Sequence, residues 1–158
     1  MLCCLLLGCQ DKKAPVVTPV VPAVLSAPAS FGSTPARFSV KGSLANGDGA
    51  IAPAVLSARV SRSDRGPPVQ LRVFAGDGAT PTTPLSDPGF VGFLTVVPAS
   101  DGSYPEVSAN LELTEAQVAH AGPDGLVELS FVAVDFDEKP VPSVQLRLEK
   151  LALTRNPK

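Results

Sequence analysis

Tryptophan is absent from this chain, and tyrosine and histidine occur once each, as Tyr104 and His120. Sugar-binding modules stack pyranose rings on Trp or Tyr, so a carbohydrate site is disfavoured. Charge is also sparse: 18% of the 158 residues are charged, the formal net charge is -2, and Lys12-Lys13 is the densest basic run. Phosphate binding needs a basic face that releases counterions, which excludes nucleic acid as a partner. No segment after the N-terminus approaches the roughly 18 consecutive apolar residues that a transmembrane helix requires. All three cysteines lie between Met1 and Cys9. The folded region is therefore expected to hold no disulfide, no thiol redox site and no Cys-ligated metal.

What the chain does have is 17 prolines and 13 glycines, an excess that suits many short strands joined by turns, together with a disordered segment. The two parts separate along the sequence. Residues 1–8 read as a bacterial lipoprotein signal peptide, because the apolar run ends in Leu6-Leu7-Gly8-Cys9, which resembles a lipobox. Cleavage there needs a small residue, here Gly8, and lipidation needs a thiol, here Cys9. A buried strand is the competing reading, but a core strand should not lead at once into Gln10-Asp11-Lys12-Lys13 and a proline-rich stretch. A signal peptide ordinarily carries a basic segment and about 7–15 apolar residues. No Lys or Arg precedes this short run, so translation is expected to start further upstream. Cys9 is the expected lipidation site, the membrane the expected partner through that lipid, and the bacterial cell envelope the expected location.

Residues 9–30 then form a tether. Ala14 to Ser30 is nearly uncharged, with proline every few residues, and proline blocks helix and sheet interiors. In a polyproline-like form of about 3.1 Å per residue, some 20 residues reach on the order of 60 Å.

From residue 31 to 158 the pattern is that of one all-β domain, an antiparallel β-sandwich, Ig-like or jelly-roll-like, of about seven strands. Phe38, Val40 and Leu44 alternate with polar positions, as do Leu56, Ala58 and Val60, and then Val69, Leu71 and Val73. Val107, Ala109, Leu111 and Leu113 do the same, followed by Val144, Leu146 and Leu148, after which the phase breaks at Lys150 and predicts a bulge. Phe90 to Val97 and Leu126 to Phe136 are apolar on both faces and predict two central strands, the second centred on Phe131. Thr114 with Gln117 three residues later fits a capping box and predicts one short helical turn.

Candidate sites are few. His120 follows that turn, but no serine or thiol stands in a nucleophile motif, so a surface or C-capping histidine is the preferred reading. Asp48 and Asp77 lie in Gly-Asp-Gly tripeptides, while Asp64, Asp87 and Asp101 sit in turns. None extends into a calcium-loop pattern, and tight turns favour aspartate anyway. Asp135, Asp137 and Glu138 cluster at a strand end, where a hydrolase would need them to converge. Neighbours on a strand point to opposite faces, so a solvated strand end is preferred. No catalytic residue, cofactor or metal is expected, and the chain is read as not an enzyme.

Residues Pro68 to Val97 add a family resemblance. Val69-Gln70-Leu71-Arg72-Val73-Phe74, the loop prolines Pro81 and Pro84, and Phe90-Val91-Gly92-Phe93-Leu94-Thr95-Val96-Val97 resemble two strands of the C-terminal β-sandwich domain of polyphenol oxidases and tyrosinases, the type-3 copper proteins. Leu111-Glu112-Leu113-Thr114-Glu115 resembles a further segment, and Leu126 to Val134 and Val144 to Leu153 resemble the last two strands. In that family this domain packs on the copper domain and shields its entrance. The histidine-rich copper-binding domain has no counterpart here, so the resemblance implies no oxidase activity. The leading expectation is a non-catalytic interaction module with an envelope or secreted protein partner; the alternatives are a shielding partner of a secreted tyrosinase-like oxidase and, after it, a hydrolase using the acidic strand end.

Overall fold

The computed structural model describes residues 29–32, 34–41, 53–119 and 126–155. Among these the elements run β1 (Ala29–Phe31), β2 (Ala36–Lys41), β3 (Ala54–Arg62), β4 (Val69–Ala75), β5 (Phe90–Val96), β6 (Val107–Leu113), α1 (Glu115–Ala119), β7 (Leu126–Val134) and β8 (Val144–Arg155). They build an antiparallel β-sandwich of two four-stranded sheets, with orders β1-β8-β3-β6 and β2-β7-β4-β5.

Alternation explains most of the packing. Along β3, Ala54, Leu56, Ala58 and Val60 are buried against the opposite sheet, where Val69, Leu71, Val73, Leu129 and Phe131 meet them in one continuous core. β7 lies between β2 and β4, and its burial on both faces fits the expectation of a central strand. The bulge expected at Lys150 is present: Arg59 faces Lys150 while Val60 faces Leu148, leaving Glu149 as the extra residue. β8 thereby runs on through Leu151 and Leu153 with both still pointing inward. The capping box is also formed. Gln117 N donates to Thr114 Oγ1 at 3.3 Å, and Thr114 N donates to Gln117 Oε1 at 3.0 Å.

Two expectations need correction. β5 is not central but an edge strand, and Phe93 on it is 46% exposed. Its apolar run has two separate causes. Leu94 and Val96 face the core, whereas Phe90 turns to the outer face after a register shift opposite Val73/Phe74 and packs on Phe74, ring centroids 5.4 Å apart. Gly92 lies on the inner side, where a Cβ would stand 2.9 Å from Leu111 Cδ2, so Leu111 occupies the space a side chain would take. The second correction is β1. It pairs with β8 from Ala29, two residues before the expected domain start, and Phe31 in it is fully buried.

The loop of residues 76–89 folds back over the outer face of the second sheet. Ala79 joins Phe74, Val132, Val134 and Phe90 in a small second core there. Ser130 Oγ, buried beneath the loop, donates to Gly76 O at 2.6 Å, and Gly76 N donates to Glu128 O at 2.8 Å. No helix among the described residues is long and apolar enough to cross a membrane.

Candidate functional site

Cys9, Asp48 and His120 lie outside the described residues. The acidic strand end is inside them, and its three carboxylates are divided among three jobs. Asp135 caps its own turn: its Oδ1 accepts from Asp137 N at 2.9 Å and Lys139 N at 2.8 Å. Asp137 faces Lys139 Nζ at 3.6 Å in an exposed pair. Glu138 takes a left-handed backbone, φ 64°, and reaches Arg72 Nη2 at 3.0 Å. Glycoside hydrolysis needs two carboxyl groups facing one bond across a cleft. Here each is turned to a different partner, so the geometry brings no catalytic pair together. Arg72 itself was legible only as an outward-facing residue. It proves to be buried, with a 4% exposed side chain whose Nε donates to Gln70 Oε1 at 2.9 Å.

A second polar cluster was missed altogether. Arg62 ends β3 on the inward parity of Ala54, Leu56, Ala58 and Val60, and its guanidinium is 0% exposed. Its Nε and Nη2 donate to Asp64 at 3.0 and 2.5 Å, and Nη1 donates to Pro67 O at 2.6 Å. The ring of Tyr104 lies over the guanidinium, 4.4 Å from centroid to Cζ, and its hydroxyl donates to Gly66 O. A Cβ at Gly66 would press on Arg62 Nη2 and Asp64 Oδ2, so a larger residue here would displace the ion pair. Asp64 further accepts from Gly66 N at 3.0 Å and Gln145 N at 2.9 Å. The cluster ties the β3–β4 loop, the β5–β6 loop and the start of β8 together. The parity of β3 was the signal that could have revealed it.

Arg62 holds the Asp64 carboxyl well below the usual carboxylate range, with the backbone N–H groups of Gln145 and Gly66 adding to the effect against the opposing cost of burial. A depressed folded-state value means that the unfolded chain binds the proton first. The stabilisation from Asp64 is therefore complete above the unfolded value of about 3.9 and is lost as pH falls toward the folded value. We expect Asp64→Asn to be less stable than the native chain at neutral pH, with the gap closing in urea titrations repeated below about pH 4. A gap that stays constant down the acid limb would show that the charge on Asp64 is not what holds the loop.

Asp87 and Asp101 serve their loops, as turn aspartates do. Asp87 Oδ1 accepts from Gly89 N at 2.7 Å, and Asp101 Oδ1 accepts from Ser103 N and Oγ at 2.9 and 2.6 Å. Among the described residues no three His, Cys, Asp or Glu side chains gather where they could hold a metal ion. A shallow cavity of about 240 Å³ lies beside the loop over the outer core, lined by Phe74, Ala75, Gly78, Ala79, Thr83 and Asp87. At the same end Gln117 is buried, and its Nε2 donates to Pro88 O at 3.0 Å and Phe90 O at 2.9 Å, fastening α1 to the start of β5. Phe93, Val97, Leu85 and Phe136 are the large apolar side chains left exposed among the described residues. Among the described residues the result is a polar-locked sandwich with scattered apolar surface, and the carboxylates of Asp64, Asp135, Asp137 and Glu138 are each turned to a different partner.

No protein-family model and no curated protein matches this chain. Solved structures do. Latent aurone synthase (polyphenol oxidase) from a natural source matches with a TM-score of 0.54 and 22% identity, over 94% of this chain and 30% of that one. Recombinantly expressed latent aurone synthase matches with a TM-score of 0.51 and 22% identity over the same shares, 94% and 30%. The same enzyme co-crystallised with hexatungstotellurate(VI) gives 0.50 and 21%, over 94% and 29%. At such identity the likeness shows the fold: an antiparallel sandwich that also occurs within polyphenol oxidase structures. The chain spans less than a third of the length of those proteins.

Proposed function

We propose that this chain is a non-catalytic module that docks on and shields a separate type-3 copper oxidase, and that lipid on Cys9 holds it at the bacterial envelope. The observation that supports this reading is the fold likeness, which takes in 94% of this chain but 30% of a polyphenol oxidase. What is shared is one module's worth of that protein. These 158 residues carry a single histidine, His120, too few to bind a copper pair, so in this reading the copper is held outside them. The broader reading, an interaction module for some other envelope protein, keeps the same anchor and changes only what is bound.

The two parts of the proposal are tested with one variant. Cys9→Ser removes the thiol that would form the thioether, so the protein should move from detergent-extracted membranes into the soluble fraction. Unchanged membrane association, or no lipid mass on Cys9 in the native protein, would sink the anchor. The soluble variant then serves as bait in envelope extracts. Capture of a copper-containing oxidase, whose oxidation of an ortho-diphenol falls as the bait is added in excess, is the expected result. Capture of a different protein would leave the broader reading, and oxidation of the diphenol by the bait alone would refute a non-catalytic role.

A further inference from the structure

We propose that Asp77 is a site of spontaneous aspartate isomerisation, a modification that loosens the loop over the outer core. The inference is independent of the proposed function. Two Asp-Gly pairs lie among the described residues, and the fold treats them oppositely. At Asp101-Gly102 both reacting groups are engaged. Ser103 N and Oγ donate to Asp101 Oδ1 at 2.9 and 2.6 Å, and Gly102 N donates to Ala99 O at 2.9 Å. Gly102 is also fixed in the left-handed region, φ 78°. At Asp77-Gly78 both residues are exposed, and no hydrogen bond among the described residues engages the Asp77 carboxyl or the Gly78 N–H. Nothing lies within 4 Å of where a Gly78 Cβ would be, so the backbone there has room to turn.

The reaction needs no enzyme and no co-reactant other than water. The Gly78 nitrogen attacks Asp77 Cγ in its neutral carboxylic acid form, a C–N bond forms, and the N–H proton leaves with the carboxyl hydroxyl as one water. The resulting five-membered succinimide is opened by one water. Attack at the former backbone carbonyl returns the side chain as a free α-carboxyl and routes the main chain through Cβ and Cγ. The mass is unchanged, and the backbone has gained one carbon.

That extra carbon falls between two anchored points. On one side Gly76 is held by Ser130 Oγ and Glu128 O. On the other, Ala79 is buried in the outer cluster and Thr80 N donates to Thr83 Oγ1 at 2.8 Å. A longer path between them cannot keep both, so Ala79 lifts from Phe74, Val132 and Val134, and apolar surface is uncovered.

The test is to age the full chain at mildly acid pH and physiological temperature. Isoaspartate is then read at each position with a peptidase that cuts before aspartate but not isoaspartate, and with electron-transfer fragmentation. Isoaspartate is expected to accumulate several-fold faster at Asp77 than at Asp101, and the difference should collapse when the ageing is repeated in urea. Gly78→Ala, which adds a methyl group into open space, should keep the fold and suppress the reaction at Asp77. Equal or faster reaction at Asp101 in the folded protein, a difference that persists in urea, or undiminished reaction in Gly78→Ala would each overturn the proposal.

Discussion

Phe131→Ala is expected to lower the urea midpoint by on the order of 2 M, taking about 3–5 kcal/mol from the domain over an ordinary urea dependence. Phe131 is fully buried at the middle of β7, between Ala36 of β2 and Val73 of β4, and the ring of Phe38 meets it edge-on at 5.3 Å. Truncation removes the transfer energy of the ring and leaves a hole that close-packed neighbours on both strands fill only in part. A domain of this size holds about 5–15 kcal/mol in all, so the loss is a large fraction of its stability. His120→Ala, at a position read from sequence as a surface or capping residue, should move the midpoint very little. Circular dichroism during urea unfolding of the two variants decides the matter. If His120 cost more than Phe131, histidine 120 would be a buried or liganded group, and the packing around β7 would be wrong as well.

Asp64→Ala should cost nearly as much, about 3 kcal/mol, although Asp64 lies in a loop. The reason is what it leaves behind. The Arg62 guanidinium has no exposure, and without Asp64 it keeps one carbonyl, Pro67 O, and the face of Tyr104. A buried cation without its counter-charge bears a desolvation cost that the pair had offset. The loss lies at the lower end of the range for broken buried pairs because the Asp64 side chain is 26% exposed, which lets water in. The signature is non-additivity. Replacing both residues, as Arg62→Met with Asp64→Ala, removes the stranded charge and fills its volume with apolar atoms, so the double variant should be more stable than Asp64→Ala alone. A double variant at the sum of the two single losses would mean that Asp64 and Arg62 act separately.

Much of the fold was legible because one face of each sheet is buried, and a period of two then writes itself into the residues. Leu56-Ala58-Val60 and Val144-Leu146-Leu148 are of this kind, and the phase break at Lys150 marked the bulge because Leu151 and Leu153 resume on the inner side. Local chemistry was equally plain where both partners are close in sequence, as at Thr114 and Gln117. The failures have a common physical cause: the deciding neighbour comes from elsewhere in the chain. β1 is three residues long at the end of a proline-rich stretch, too short to show a period, and only β8 makes it a strand. Phe90 to Val96 resembles a central strand in composition, but it ends the sheet beside β4, and its apolar run comes from the core on one side and from Phe90 turning to the outer cluster on the other. Arg62 and Arg72 look like solvated charges until the loops bearing Asp64 and Glu138 close over them. Of the candidate site, the turn roles of Asp87 and Asp101 were readable from residue type, that of Asp135 was not because the strand end reads as merely solvated, and Cys9 rests on its sequence motif alone.

The three-residue β1 sets how the domain responds to mechanical load. Any pull that arrives from the N-terminal side enters through Ala29 and is carried first by the pairing of Ala29, Ser30 and Phe31 with Leu146, Gln145 and Val144. β2, the next strand in the chain, belongs to the opposite sheet, so the pull reaches the two sheets in succession. Under tension β1 would strip from β8 and draw Phe31 out of the core before β2 is stressed, paying out chain while the Phe131 centre stays intact. A sandwich built this way behaves like a line with a weak link at its N-terminal end, yielding a short length under a sudden tug and leaving the rest of the fold to hold.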